Sequence, residues 1–591
     1  MVAFKVNDFG GEIPRRDPRL LPDNMAEYSV NCDLASGPLD GLPQLKPVIN
    51  MAGIAPWPVR KAYRFPDPTG AGRPDVWLPL SSEFASVVRS PLANDTAGRI
   101  YWTEPPGSPN AGVWWTTYDD IAAGGPAAGH PPWSLGFIPV DPSVALSVSV
   151  SGGTGSAPQI ARSYVITYVD QFNQESSPSQ PSPVVEGNSD GTWTVSGLPT
   201  APPANPPGKN YPIPNRMRLY RTITAQGGSA LFYYVTDIPF GSSSYVDNVF
   251  ADTDIVNNNT LASSDWLSPP EGLDGLTIMM TGMMIGFTKN TVHFSEQDRP
   301  HTWPAGYDLS LLYEIQGMAV WQTSLVVLTK GYPSIGTGTS PNGFTFQQIQ
   351  APEPCIARGS IVTDLAGVYY ASQNGLIMLN YFGMQNQTLS TITKNDWLTE
   401  FGAETIIACR HRAQYLAVIG SGDGFLIDYT EQRMGVTHTV PMADATAVWN
   451  DVFTGDAYIM AGEGVFLWDA PDTPSMVYRW RSKEFYMPAP ISLGACQVSA
   501  ETAIARLAPP DTMPDPPGAP IPLPPGVNAL FRLFVGPEGK HMVHEQFLTQ
   551  PRSIFRLPSG RKAFNWQFEI VARVAIHSVE LASTMRELQK V

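Results

Sequence analysis

A short hairpin recurs five times between residues 276 and 468, and few folds can accommodate that recurrence. Each copy is an apolar run, a tight polar turn and a second apolar run. The copies are MMIGFTKNTVHF (283–294), LVVLTKGYPSI (325–335), VYYASQNGLIML (368–379), LAVIGSGDGFLIDY (416–429) and YIMAGEGVFLW (458–468). The second turn residue falls at Asn290, Gly331, Gly375, Gly424 and Gly464, so the gaps are 41, 44, 49 and 40 residues. Asn-Gly and Asp-Gly favour tight hairpins because both central positions tolerate positive φ. A period of this size, with about four strands per copy, is that of β-propeller blades. One blade cannot bury both of its faces, so blades pack in a ring. The alternative is a long β-sandwich or meander with accidental spacing.

The rest of the chain also reads as β. Its 58 Pro and 52 Gly suit short strands joined by turns. At 591 residues it is long enough for several domains. Residues 1–140 are expected to form an irregular N-terminal platform, with a short turn near 24–30 and strands in AGRIYW (97–102) and AGVWWTTY (111–118). A Ser/Gly stretch, SVSVSGGTGSAP (147–158), reads as a linker. Residues 141–265 then offer six or seven short alternating strands, which predicts a β-sandwich of the fibronectin type III kind. Tyr164, Tyr168, Tyr220 and Tyr233 are expected in its core or at its corners. The propeller is expected over 266–480. Residues 481–591 form a C-terminal β domain with a proline-rich surface loop at 509–526 and a short helix from Ser583.

Charge and motifs exclude more than they include. Net charge is 37 − 53 = −16, a poor balance for gripping DNA phosphates. Such a surface still suits DNA that must slide without sticking. Cys32, Cys355, Cys409 and Cys496 are far apart, which predicts buried reduced thiols. No signal core opens the chain, and TIMMTGMMIGF (277–287) is too short to span a bilayer. The expectation is a soluble protein made in a cytoplasm.

No Walker loop, GxSxG elbow, HExxH pair or GxGxxG turn is present. The eight histidines are scattered; His541 and His544 are three apart but lie in strand-like sequence. Asp119 and Asp120 would point apart on a strand, whereas Asp252 and Asp254 read as a cation loop or as an ordinary asparagine-rich turn. SGDGF (421–425) keeps only a fragment of the sialidase Asp box. No catalytic, cofactor-binding or metal-ligating residue is assigned, no cofactor is expected, and the chain does not read as an enzyme.

Several strings, taken in order, resemble the tail nozzle (tail tubular B-like) proteins of tailed bacteriophages. They are GGEIPRRDPRLLPDNMAEYSVNCDLASGPLDGL, YVITYVDQFNQESSPS, NTVHFSEQDRPHTWP, LVVLTKGYPSIGTGTSPNGFTFQQI, PCIARGSIVTDLAGVYYASQNGLIML, WRSKEFYMP, FRLPSGRKAFNWQFEI and VELASTMREL. The resemblance implies a virion protein assembled in the host cytoplasm. It implies a homo-hexameric ring at the distal end of the tail, acting as channel and gate for genome ejection. The implied partners are the tail adaptor ring, tail fibres or spikes, the host cell surface, and viral DNA that passes without specific binding. Two alternatives stay open: a propeller glycoside hydrolase, and a glycan- or receptor-binding module using aromatics such as Trp114 and Trp115.

Overall fold

The computed structural model describes the chain except residues 1–2, 36, 94, 224–230, 250, 429–434, 441–443, 502–528, 537–540, 559 and 589–591. The chain is mainly β. Five four-stranded antiparallel sheets, the first four strands of a ten-stranded sheet and one two-stranded sheet follow one another around a closed ring. Blade 1 is the hairpin Lys61–Phe65 and Val76–Leu80. Blade 2 holds Ser86–Arg89, Ile100–Glu104, Gly112–Thr116 and Trp133–Ser134. Blade 3 starts at Asp274–Ile278, blade 4 at Ile315–Trp321 and blade 5 at Val362–Asp364. Blade 6 starts at Ile407–His411 and blade 7 at Ala445–Asn450. The fourth strand of blade 7 is Lys46–Asn50, which pairs with Gly464–Leu467. A strand from near the start of the chain thus closes a ring begun elsewhere, the arrangement of a propeller.

Every junction of the ring is an apolar core. Phe294 and Leu325 meet between blades 3 and 4, and Leu328 and Tyr370 between blades 4 and 5. Trp397 and Phe425 fill the next junction, and Leu416 and Ile459 the one after. Met460 packs with Ala62, Phe65 with Trp102, and Trp115 with Met284, which completes the circuit. Burying each such side chain stabilises by about 1.5–3 kcal/mol. The short helix Lys394–Thr399 exists to place Trp397: Thr393 caps it, and the indole Nε1 donates to Ser372 O at 2.8 Å.

The five recurring hairpins are the second and third strands of blades 3 to 7. Their turns differ from expectation in one respect. Gly375, Gly424 and Gly464 open the third strand of their blades, and left-handed residues at Lys289, Gly422 and Gly462 turn the chain. The boundary expected at residue 140 is also corrected. Residues 46–134 contribute strands to the ring itself and are no part of a separate platform.

Residues 147–247 form two facing three-stranded sheets with a smaller pair, Gln159–Arg162 and Val185–Asn188. One facing sheet orders Ser147–Ser151, Thr192–Ser196 and Ser244–Asp247; the other orders Tyr164–Val169, Arg216–Thr222 and Phe232–Pro239. Tyr164, Tyr168, Met217 and Val195 share the core between them. Tyr220 is buried and Tyr233 half-buried. The expected linker at 147–158 is corrected: Ser147–Ser151 is a strand of this sandwich. Its partner is the strand at 192–196 and not its neighbour in sequence, which departs from the first-with-second order of immunoglobulin-type sandwiches. His301 wedges between Phe137 and Trp266 where the sandwich meets the ring, and burial drives its pKa down to about 3.

The two ends of the chain build a third unit. Strand Ala3–Val6 pairs with Ile576–Ala582, and Ala26–Val30 pairs with Tyr478–Ser482. Ala26–Val30 is a strand where a turn was expected; it pairs with Tyr478–Ser482 and buries Ala26 in the core that holds Trp480 and Phe568. The sheet of blade 6 runs on into this unit through Val30↔His438 and ends at the edge strand His541–Leu548. Gly11 lies against Val436, where a Cβ would come within 2.8 Å of a carbonyl. The helix expected from Ser583 is Met585–Leu588. The proline-rich loop at 509–526 lies outside the described residues. No helix among the described residues is long and apolar enough to cross a membrane.

Candidate functional site

The first strands of consecutive blades surround a cavity of about 610 Å³ at the hub. This is the size class that holds a small molecule. Its wall includes Thr277, Met318, Thr363, Cys409 and Trp449, each from a different blade's inner strand. Lys61, Glu83 and Arg358 are the charged residues that line it.

Arg358 precedes the inner strand of blade 5 and reaches past blade 4 to blade 3. There both Nη atoms bind Asp274, one at 2.7 Å to Oδ1 and the other to Oδ2. Nη2 also donates to Phe84 O at 3.4 Å. The path crosses Gly317, where a Cβ would lie 2.5 Å from Ile361 Cδ1 and 3.8 Å from the Arg358 chain. A bidentate guanidinium–carboxylate pair fixes geometry as well as charge. The three blades are therefore clamped across the mouth of the hub.

Lys61 sits beside this clamp. Its Nζ donates to Ala85 O at 3.0 Å, the carbonyl next to the one that Arg358 uses. Among the described residues no carboxylate lies within ion-pair distance of Lys61. Burial, and then the Arg358 charge, pull its pKa down to about 8, while Glu83 pulls weakly the other way.

The structure places the sequence candidates elsewhere. Asp119 and Asp120 lie on the helix Tyr118–Ala122: Asp119 binds Arg73 at 2.7 Å, and Asp120 bonds the Thr117 hydroxyl at 2.7 Å. Asp252 pairs with Arg221 at 3.4 Å, which makes it an ionic latch of the sandwich and not a cation loop. Asp254 stands in the same 3-10 turn. His541 and His544 lie on one edge strand, with His544 stacked on Phe555. Trp115 is fully buried against Tyr101 and Phe172, and Trp114 is half-buried with its Nε1 on Asn110 O. An exposed aromatic pair at 114–115 is thereby corrected. All four cysteines are buried free thiols. Among the described residues no group of three or more His, Cys, Asp or Glu could hold a metal. Lys61 and Arg358 were missed because neither belongs to a motif, and Arg358 and Asp274 are 84 residues apart.

No family model matches this chain, and no curated protein matches it. Solved structures give weak likenesses. The Neurospora crassa Pan2 WD40 domain is 10% identical and covers 57% of this chain and 99% of its own, with a TM-score of 0.26. BamB from Moraxella catarrhalis is 12% identical over 57% of this chain and 98% of its own, with a TM-score of 0.24. U3-55K is 8% identical over 54% and 98%, with a TM-score of 0.25. These scores are too low to carry an argument. The propeller assignment rests on the sheet order and the seven cores described above.

Proposed function

We propose that this chain is a structural virion protein, the subunit of a tail nozzle ring at the distal end of a bacteriophage tail. The observation that carries the reading is the ten-stranded sheet. It starts at the hub strand Ile407–His411 and ends at the open edge His541–Leu548 of the terminal unit. Ring and platform are joined by hydrogen-bonded sheet, which suits a part that must hold position in a larger pipe. The terminal unit also exposes Tyr486 (59%), Met542 (53%), Ile554 (48%), Phe564 (45%) and Phe547 (41%). An open edge strand and scattered apolar side chains are surfaces that a heterologous ring of subunits would cover. The sandwich, fibronectin type III-like in this reading, is a displayed module beside the propeller.

The conduit of this reading is the axis of the subunit ring. The hub of a single propeller is bridged by Arg358 and Asp274 and has small-molecule size. Net charge of −16 favours passage of DNA without capture. Partners are then a tail adaptor ring, tail fibres or spikes and the host surface. Mass photometry of the purified chain tests the proposal. A homo-hexamer supports it; a lasting monomer that releases reducing sugar from host polysaccharide replaces it with the hydrolase, and a monomer that only binds the glycan replaces it with the binding module.

A further inference from the structure

We infer that the hub cavity is a binding site for a compact anion, a carboxylate or a phosphate, with Lys61 as the recognition group. The inference stands apart from the nozzle reading and concerns one chain only. Its first support is the cavity, about 610 Å³ and walled by all seven blades. Its second is an imbalance of charge. Asp274 and Arg358 satisfy each other through two hydrogen bonds. Lys61 faces the same space with a single neutral acceptor, Ala85 O, for three donor positions. Lys61 is half-buried, and a partly desolvated ammonium is best matched by a negative charge. A cation that stands beside a cavity with no counter-ion in reach among the described residues marks where an anion would stand.

The charged groups facing that position are Glu83 and Arg358, the latter held by Asp274. Glu83 repels an anion, and Arg358 attracts it while repelling Lys61. Thr277, Thr363 and Ser86 add hydroxyl donors around the wall. An anion on Nζ would offset the burial, and then the Arg358 repulsion, that lower the Lys61 pKa, so binding takes up protons near pH 8. Above that pH the amine is neutral and binding weakens.

The test uses the full chain at matched ionic strength, with chloride as the reference. Inorganic phosphate and sodium acetate are titrated separately by calorimetry at pH 7 and pH 9, against the native chain, Lys61→Met and Lys61→Arg. The expected result is saturable binding of one of the two anions at pH 7. It weakens by about tenfold or more in Lys61→Met, survives in part in Lys61→Arg, and weakens at pH 9. Phosphate and acetate separate the two sources of the shared chemistry. A second measurement needs no variant: acetylation of Lys61, followed by peptide mass spectrometry, should slow when the binding anion is present. Equal binding by Lys61→Met, binding by neither anion, or unchanged acetylation would each overturn the inference.

Discussion

Between blades 5 and 6 of the ring, Trp397, Phe401, Tyr415 and Phe425 meet ring against ring. At one end of the sandwich, Arg162 and Arg221, both fully buried, converge instead on Asp247. Tyr164 Oη donates to the same carboxylate at 2.8 Å, both arginines also reach Val249 O, and Arg162 lies over the Trp193 ring. The ring is thus held by shape and apolar area spread over seven junctions, whereas the sandwich adds to its apolar core a fully buried ionic cluster at one end. Apolar area is forgiving, because each junction loses only what is removed. A buried ionic cluster is not, because removing one partner strands the others. The ring should therefore fail gradually and the sandwich abruptly.

The largest expected effect is Asp247→Ala. It leaves two buried guanidinium groups without their shared carboxylate and should cost about 3–5 kcal/mol. Hydrogen exchange should show residues 147–247 opening while the blade cores stay protected. Simultaneous loss of protection in both regions would break the comparison. Next is Leu416→Ala, a cavity between blades 6 and 7 worth about 2–5 kcal/mol. Here the ring should lose stability in denaturant melts and the sandwich should keep its exchange protection.

The joint between ring and platform sharpens the contrast through pH. Glu12 accepts a hydrogen bond from Ser29 N and lies 3.6 Å from His438 Nε2. Burial, partly offset by the Ser29 bond and reinforced by Glu27 and Glu400, raises its pKa to about 8. The folded chain keeps a proton that the unfolded chain releases near 4.5. This stability is full below about pH 4.5 and is lost as pH rises through about 8, by up to about 1.4 kcal/mol per pH unit. Chemical denaturation between pH 5 and 9 should show that slope, and Glu12→Gln should flatten it. The smallest effect belongs to an exposed pair, Lys330 with Glu314 at 2.7 Å. Lys330→Ala should change stability by less than about 1 kcal/mol, which urea melts can resolve from the Asp247 result.

What the sequence made legible follows from range. The five hairpins of blades 3 to 7 announce themselves because strand, turn and strand are contiguous, as in residues 368–379. Blade 2 was half visible: Ile100–Glu104 and Gly112–Thr116 read as strands, but a loop of seven residues between them carries no tight-turn signal. Strand Lys46–Asn50 contains Pro47 and alternates poorly, and its partner is more than 400 residues away. Nothing local could place it in blade 7. The hub is less legible still. Arg358, Asp274 and Lys61 come from three blades and become neighbours only when the ring closes. The strand order of the sandwich is likewise set by pairing across the unit, which alternation alone cannot rank.

Closure of the ring by that early strand is the claim on which the hub, the clamp and the rigid platform all depend. Ile49 and Val465 are register partners across the closing pair. In the double variant Ile49→Cys, Val465→Cys, non-reducing peptide mapping after mild oxidation reads the pairing directly. The predicted result is a 49–465 disulfide in nearly all molecules, formed in the folded chain and absent after oxidation in denaturant. Free thiols at both positions in a chain with native exchange protection would contradict the closed ring.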